Sequence, residues 1–240
     1  MPLPKINTPT HELTLPSNNK KVRYRPFLVR EEKILVLAME SGDQKQITDA
    51  IVEIISDCLI TKNVDVSKLP TFDIEYLFLN VRSKSVGETV EVNVTCPDDG
   101  KTTVETSINI DDIKVKKDKG HKLTVKLDNQ YSMKLKYPSI DQFIENNFDF
   151  DNAETNVSQA LSMLSTCIDV IYDKDESWDA SESTKEELNE FIDQLNTKQF
   201  KEVEEFFKTM PKLTHTLKVK NPKTGVESEV VLEGLVSFFS

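Results

Sequence analysis

Cys96 lies in the segment of this chain whose residue types come nearest to a metal site. The segment Thr95-Cys96-Pro97-Asp98-Asp99-Gly100-Lys101 has the outline of a zinc-binding hairpin turn, but Asp99 stands where a second thiolate would be needed. Structural zinc takes four ligands, usually Cys or His, and neither Cys58 nor Cys167 has a second ligand nearby. The sequence therefore predicts a tight turn without metal, and three reduced thiols.

A calcium site is the second candidate, in the acidic stretch at residues 173–179, where oxygen-bearing side chains recur at alternate positions. A calcium loop of this kind needs Gly at its sixth position and a bidentate Glu at its twelfth. Trp178 and Thr184 occupy those two positions. The stretch is interpreted instead as a disordered acidic loop anchored by Trp178.

Catalytic residues are equally hard to assemble from the sequence. His11, His121 and His215 are far apart and lack the spacing of metalloprotease or Cys-His sites, so they are interpreted as surface or strand histidines. The many carboxylates are explained by an acidic helix surface. The chain has only six Gly and no Gly-rich loop after a strand, which disfavours nucleotide binding. We expect no catalytic residue, metal or cofactor; an enzyme or metal protein assembled from distant residues stays as an alternative.

Length and composition indicate a globular chain. Its 240 residues are enough for one well-buried domain or two small ones, and 38% are hydrophobic against 30% charged. The net charge of −11 argues against nucleic acid as a partner, because such binding relies on clustered Lys and Arg. No apolar run reaches the roughly 20 residues of a membrane span, and no secretion signal follows the first residues. We therefore expect no membrane partner and use in a cytoplasm.

The charge is unevenly distributed. Residues 141–208 contain 18 acidic and 5 basic side chains, whereas residues 112–140 contain 8 Lys and 3 Asp. A basic hairpin region and an acidic helical region could face each other, or bind complementary patches on neighbouring copies or on other proteins. Solvated faces are the simpler interpretation, and the sequence does not choose between them.

Hydrophobic periodicity predicts the elements that would position any functional residue. Alternation predicts antiparallel hairpins at 12–16/21–25, 89–95/103–108, 123–127/131–137 and 214–220/227–232. Apolar stripes at helical spacing predict helices at 31–39, 47–59, 73–82, 139–148, 154–172 and 198–210, and a capping box at 183–187 opens one more. The polar residues 173–183 are predicted to form a loop.

The predicted fold class is α+β, with several antiparallel hairpins combined with N-terminal and C-terminal helical bundles. Three regions follow from the changes in periodicity. They are residues 1–88, a hairpin with helices; residues 89–137, a central β-hairpin region; and residues 138–240, an acidic helical region with a hairpin and an apolar tail. That tail, 234–240, either packs on its own domain or docks into a partner, which makes Phe238 and Phe239 interaction candidates.

Four segments, taken as a set, resemble the T-even-type tailed-phage baseplate hub family. They are Arg23-Tyr24-Arg25-Pro26-Phe27-Leu28-Val29-Arg30-Glu31-Glu32-Lys33, Ala38-Met39-Glu40-Ser41, Lys84-Ser85-Val86-Gly87-Glu88 and Gly234-Leu235-Val236-Ser237-Phe238-Phe239. The likeness extends over nearly the whole chain, and none of the segments encodes a reaction. At Asp99 the chain departs from relatives that carry a second Cys.

The resemblance implies a non-enzymatic structural protein of the virion tail baseplate, within its central hub and assembled in the host cytoplasm. Its partners would be other baseplate hub and tail proteins, with a homo-oligomer left open. A transient assembly factor or chaperone for the hub is the alternative. Within residues 21–41 the apolar side chains are sufficiently explained as hairpin and core, so the exposed interaction candidates are Arg23, Arg25 and Arg30.

Overall fold

The computed structural model describes residues 6–140, 142 and 163–234, and it has the predicted α+β architecture. The helices are α1 Val29–Ser41, α2 Gln44–Cys58, α3 Thr71–Val86, α4 Lys185–Asp193 and α5 Thr197–Thr209, with short 3-10 helices at Val66–Lys68, Ile110–Asp112 and Ala180–Glu182. The strands are β1 His11–Thr14, β2 Lys21–Tyr24, β3 Thr89–Thr95, β4 Thr103–Asn109, β5 Lys114–Lys116, β6 Thr124–Lys126, β7 Ser132–Leu135, β8 Ile168–Tyr172, β9 Ser177–Asp179, β10 Lys212–Lys220 and β11 Glu227–Glu233.

The described residues group into two compact units. The first lies within Met1–Lys116 and Lys212–Ser240, and the second is Lys117–Pro211. The first unit is thus formed by both ends of the chain, with the second inserted between them. The division into regions 1–88, 89–137 and 138–240 stays a prediction about domains.

Helix α3 is the central element of the first unit. Eight of its sixteen residues are buried, and they lie on more than one face of the helix. Phe72, Leu77 and Phe78 are among the most deeply buried side chains in the described part of the chain. The helix is longer than the predicted 73–82. It is ended by its C-cap Gly87, whose φ of 143° is a conformation that glycine adopts easily and other residues rarely do.

The hairpins of the first unit follow the alternation in the sequence. Strands β1 and β2 pair antiparallel, and so do β3 and β4, where Val90 lies opposite Ile108 and Val94 opposite Val104. Along β3 every second residue is buried, as a strand with one covered face requires. The last hairpin, β10–β11, is also confirmed over its full predicted length.

Strand β5 was not predicted. It pairs with the start of β10, with Val115 opposite Leu213, and gives a three-stranded sheet in the order β11-β10-β5. Its sequence, Lys-Val-Lys, lies in the segment interpreted as a basic hairpin region. Three residues are too few for alternation to be recognised, and the partner strand lies almost a hundred residues away.

The second unit contains a four-stranded antiparallel sheet in the order β6-β7-β8-β9. The hairpin β6–β7 confirms the prediction at 123–127/131–137. Helices α4 and α5 contribute to the same core, whose buried members are Val125, Leu127, Met133, Leu135, Leu164, Ile168, Ile171, Ile192, Val203, Phe206 and Met210.

The helix predicted at 154–172 is wrong over its last turn and a half. Residues 163–167 are helical, but Ile168–Tyr172 forms β8, with Met133 opposite Ile171. The spacing of the apolar residues fits both structures, and the β-branched side chains favour the strand once a partner strand is present. Residues 143–162, which contain most of the predicted helices 139–148 and 154–172, lie outside the described residues.

The acidic loop predicted at 173–183 is wrong as well. Residues Ser177–Asp179 form β9, which pairs with β8 and places Trp178 opposite Ile171. The carboxylate of Asp173 closes the turn by accepting hydrogen bonds from the backbone N–H groups of Asp175 and Glu176, at 2.8 and 2.7 Å. The carboxylate that suggested a calcium ligand therefore has a structural role in the turn.

Helix α4 begins at the predicted capping box. The Thr184 hydroxyl accepts from the Glu187 N–H, and the Glu187 carboxylate accepts from the Thr184 N–H. Helix α5 is capped in the same way by Asn196 and Gln199, and it matches the predicted 198–210 within one residue at each end.

His121 is buried, which corrects its interpretation as a surface or strand histidine. Its ring lies 5.5 Å from the ring of Tyr137 and 5.2 Å from that of Phe206, and its Nδ1 is 3.0 Å from the Thr209 hydroxyl. Within the described residues its Nε2 has no hydrogen-bond partner. Burial, and secondarily the charge of Lys117, lower the pKa of His121 below 6.5.

Replacing His121 with Phe should flatten the acid side of the stability profile. The pKa is lower in the folded chain than in the unfolded one, so stability is fully present above about pH 6.5 and is lost as the pH falls towards the folded-state pKa. Urea unfolding of both proteins at about pH 7.5 and pH 5.5 measures this, in a window well above that in which Glu31 titrates. The prediction would be contradicted if the free energy of unfolding fell by the same amount in both proteins between about pH 7.5 and pH 5.5.

Candidate protein interaction surfaces

The corner between β2 and α1 is organised around the buried carboxylate of Glu31. It accepts hydrogen bonds from the Arg25 guanidinium at 2.9 Å and from the Leu28 N–H at 2.7 Å, and it also contacts the Arg30 guanidinium. Burial alone would raise the pKa of Glu31, but the hydrogen bonds from Arg25, Leu28 and Arg30 outweigh it and lower the pKa to about 2. Glu31 is therefore ionised and fully paired at neutral pH.

Arg25 is not the exposed interaction candidate that the sequence indicated. Its side chain is only 14% exposed, and its guanidinium also donates to the backbone carbonyls of Pro26 and Asp57. Because Glu31 needs a cation beside it, Arg25 is committed to the interior of the unit. The sequence shows the two charges but not that they lie on the inner side of the corner.

Arg23 and Arg30 are exposed, as expected. Arg23 donates to the Thr10 hydroxyl at 3.3 Å. The Arg30 side chain is 65% exposed and lies 3.6 Å from the Asp57 carboxylate. Whether either residue contacts a partner stays a prediction. Phe238 and Phe239 lie outside the described residues, so their docking role stays a prediction too.

Two segments that carry the sequence resemblance meet in the first unit. The Phe27 N–H donates to the Ser85 hydroxyl at 2.9 Å, and the same hydroxyl donates to the Val81 carbonyl. Phe27 packs in a core cluster with Tyr24, Ile54, Cys58 and Val81. The Pro26 corner and the end of α3 are thus joined by the fold.

Helix α1 exposes apolar side chains that the sequence interpretation assigned to the core. Its inward face carries Glu31, Ile34, Leu35 and Ala38, which pack on the first unit. The solvent-facing side of its first and last turns carries exposed apolar side chains among charged ones. The exposed fractions there are 43% for Leu28, 66% for Val29, 48% for Val36, 66% for Leu37 and 49% for Met39.

This open side, Leu28, Val29, Val36, Leu37 and Met39, is called the α1 surface below. The signal for it was present in the sequence, because residues 34–39 are six consecutive apolar residues. A helix buries at most part of its circumference on one neighbour, so a run of six cannot all be core. Charged side chains at positions 32, 33 and 40 are interleaved with it and exposed. The α1 surface is therefore a mixed patch, in which exposed apolar side chains alternate with charged ones.

The turn at Cys96 is closed by hydrogen bonds rather than prepared for metal. The Asp98 carboxylate accepts from the Asn221 amide at 3.0 Å and from the Thr224 hydroxyl at 2.5 Å, which joins the β3–β4 turn to the β10–β11 turn. These bonds, from Thr224 first, lower the pKa of Asp98. Burial raises the pKa of the Cys96 thiol. We call this arrangement the turn clasp.

Asp99 has its own role in the clasp. Its carboxylate accepts hydrogen bonds from the hydroxyl and N–H of Thr102 and from the N–H of Lys101, and these hold the pKa of Asp99 well below its usual range. In the described part of the chain, no group of three or more His, Cys, Asp and Glu could hold a metal ion. There is likewise no described helix with the length and apolar character to cross a membrane.

Comparison with protein families identifies the chain. The model of the T4 bacteriophage base plate protein family matches residues 8–240. The chain belongs to this family. No curated protein and no solved structure matches it. As a T4-type baseplate protein of the virion tail, it works among other baseplate and tail proteins.

Proposed function

We propose that this baseplate protein is a non-enzymatic component of the central baseplate hub and acts through protein–protein contacts during tail assembly. The family match over residues 8–240 supports a structural role. The observation that carries the proposal further is the α1 surface, whose five apolar residues, on α1 and at its N-cap Leu28, are each more than 40% exposed. Apolar patches of this kind on soluble proteins mark contacts with other proteins.

The proposed partners are other hub and tail proteins, which the chain would meet in the host cytoplasm before the finished hub enters the virion. A second copy of the chain is a further possible occupant of the α1 surface. The exposed charges of Glu32, Lys33 and Glu40 include both signs, which suits a specific contact better than general stickiness. Arg23 and Arg30 lie exposed close by in the chain and would extend such a contact.

A transient assembly factor for the hub is the second candidate function. The strongly acidic surface of the second unit favours it, since charged surfaces suit contacts that form quickly and are later released. The two candidates differ in whether the chain stays in the particle. Mass spectrometry of purified virions distinguishes them, because a permanent component is present at stoichiometric levels and an assembly factor is absent.

A double substitution in the α1 surface, Val36→Glu with Leu37→Glu, should abolish assembly without unfolding the chain. Both residues are exposed, so the fold is expected to survive, while two carboxylates at the centre of an apolar interface should weaken binding by more than about tenfold. The measurements are co-purification with co-expressed baseplate proteins and complementation of a phage that lacks the gene. Circular dichroism checks the fold.

The matched control is Val226→Glu, at a turn residue that is 47% exposed and lies outside the α1 surface. It makes a single Val→Glu change of the same kind and should leave co-purification intact. Normal assembly by the double variant would show that the α1 surface is not the interface. Equal loss in the control would mean that added charge, rather than the position, disturbs assembly.

A further inference from the structure

A groove of about 520 Å³ opens in the second unit between the β8–β9 hairpin and α4. Its walls are mostly apolar, and their main side chains are Tyr131, Ile171, Trp178, Leu188, Phe191 and Leu195. The polar groups at its edge include Asp128 and Glu187. An apolar cleft of this size with a few polar groups is the usual form of a site for a ligand or an inserted side chain.

Trp178 is the most distinctive residue in the lining of this groove, which is called the Trp178 groove below. It is the only Trp in the chain, and 42% of its surface is exposed. Its ring centroid lies 6.1 Å from that of Tyr131, and its backbone is held opposite Ile171 in the β8–β9 ladder. Tyr131 is fixed in turn, since its N–H donates to Asp128 and its carbonyl accepts from the Leu127 N–H. Exposed aromatic residues on rigid strands commonly carry much of the binding energy of an interface.

The surface around the groove is strongly negative. Residues 173–193, which form the β8–β9 turn, β9 and α4, contain nine acidic and two basic side chains. Most of the acidic side chains are exposed, and within the described residues no salt bridge joins any of them to a cation. The charged residues that line the groove, Asp128 and Glu187, are both acidic, and such a cleft concentrates partners of the opposite sign.

A second cavity of the same volume in this unit lacks these features. It is lined by Lys122, Lys126 and Lys198 together with Glu202 and Glu205, so its charges are mixed. The apolar walls, the exposed Trp178 and the single sign of charge coincide only at the Trp178 groove among the cavities described here.

We propose that the Trp178 groove binds a segment of a partner protein that inserts an aromatic or branched aliphatic side chain and carries Lys or Arg on both sides of it. The inserted side chain would pack against Trp178, Leu188 and Phe191, while the flanking cations would lie over the acidic surface of the hairpin and α4. This deepens the proposed function and rests on it, because it assigns a second contact to a protein that works by binding others. The contact is separate from the α1 surface.

The only Trp of the chain provides a direct readout of this binding. The probe is a synthetic peptide of about twelve residues with one Phe between two groups of Lys, titrated into the full-length protein while Trp178 emission is recorded. Burial of the Trp178 ring should shift the emission to shorter wavelength with a saturable dependence on peptide. Higher salt should weaken binding, because the flanking contacts are between exposed charges.

Two variant peptides and two protein variants test the proposal. One variant peptide has Ser in place of Phe, and the other has Glu in place of every Lys. Each should bind at least about tenfold more weakly than the basic peptide. The protein variant Glu186→Lys with Glu190→Lys, at exposed positions of α4, should weaken the basic peptide to a similar extent while keeping the fold. Leu188→Glu tests the apolar wall, with circular dichroism to confirm folding.

The outcomes separate this proposal from the proposed function. The α1 variant, Val36→Glu with Leu37→Glu, should bind the basic peptide normally and still fail in assembly. If the basic peptide produces no saturable shift of Trp178 emission, or if the Ser peptide binds equally well, the groove proposal is overturned while the role of α1 stands. Equal binding of the acidic peptide also overturns it.

Discussion

Replacing Arg25 with Met should lower the free energy of unfolding by about 3 kcal/mol. Removing one partner of a buried ion pair typically costs about 3–5 kcal/mol, because the other charge is left uncompensated. Glu31 has no exposed surface, and Arg25 is its only buried cationic partner among the described residues. The lower end of that range is expected because Arg30 still contacts the carboxylate and could turn further towards it.

The destabilisation should depend on pH in a definite direction. The pKa of Glu31 is lowered to about 2 in the fold, against 4.5 for the free side chain. Stability from the ionised carboxylate is therefore fully present above about pH 4.5 and is lost as the pH falls towards 2. In the Arg25→Met protein Glu31 protonates more easily, so the difference between variant and wild type should be largest near neutral pH and should shrink in acid.

The measurement is urea unfolding of both proteins at about pH 7 and pH 4, with Arg23→Met as the matched control. Arg23 is exposed and lies two residues away, in β2, so its substitution should change stability by less than about 0.5 kcal/mol. Adding Glu31→Gln to Arg25→Met should restore part of the loss by removing the buried charge. Equal effects at positions 23 and 25 would show that Arg25 does not stabilise the interior.

Most of the fold could be predicted from the sequence where local pattern determines the element. The hairpins β1–β2, β3–β4 and β10–β11 have clear alternation and strong turn residues, and α4 has a recognisable capping box. At β8 the same apolar spacing suits helix and strand, and only pairing with β7 and β9 decides between them. Local pattern does not report which neighbour a segment will have.

The candidate interaction surfaces were harder to predict for a related reason. The sequence identified residues 21–41 as the segment typical of the family, but exposure depends on what packs against each side of a helix. Arg25 proved to be internal and Leu37 external, contrary to the usual preference of each residue type. The Trp178 groove depends on the β8–β9 hairpin, and the acidic composition of residues 173–183 had led to the prediction of a loop there.

We predict that four substitutions convert the turn clasp into a zinc site. The two turns have the same form, Xaa-Pro-Xaa-Xaa-Gly, at residues 96–100 and 221–225. In each, the N–H of the Gly donates to the carbonyl of the first residue, at 2.9 and 2.8 Å, and the Gly has a positive φ, 62° and 76°. The first and fourth positions are Cys96, Asp99, Asn221 and Thr224, and the contacts of Asp98 with Asn221 and Thr224 bring the two turns together.

The expected result is that a chain with Asp98→Ser, Asp99→Cys, Asn221→Cys and Thr224→Cys binds one equivalent of Zn²⁺. Four thiolates on two hairpin turns are a common structural zinc site, and Asp98→Ser removes a carboxylate that would repel them. Structural zinc in small domains contributes an apparent binding free energy of roughly 10–16 kcal/mol, which far exceeds the hydrogen bonds that the substitutions remove. Metal analysis and the absorption of a cobalt-substituted sample measure the binding.

The control is the same variant with Cys96→Ser, which retains three thiolates and should bind zinc far more weakly. Because zinc binds the folded turns more tightly than the unfolded chain, the four-thiolate variant should also lose thermal stability when a chelator is added, whereas the natural chain should not. A four-thiolate variant that is folded yet free of metal would mean that the two turns lie too far apart for one ion. In that case the two turns would share only their backbone form, and the hydrogen bonds of Asp98 would not mark a place where one zinc ion can bridge them.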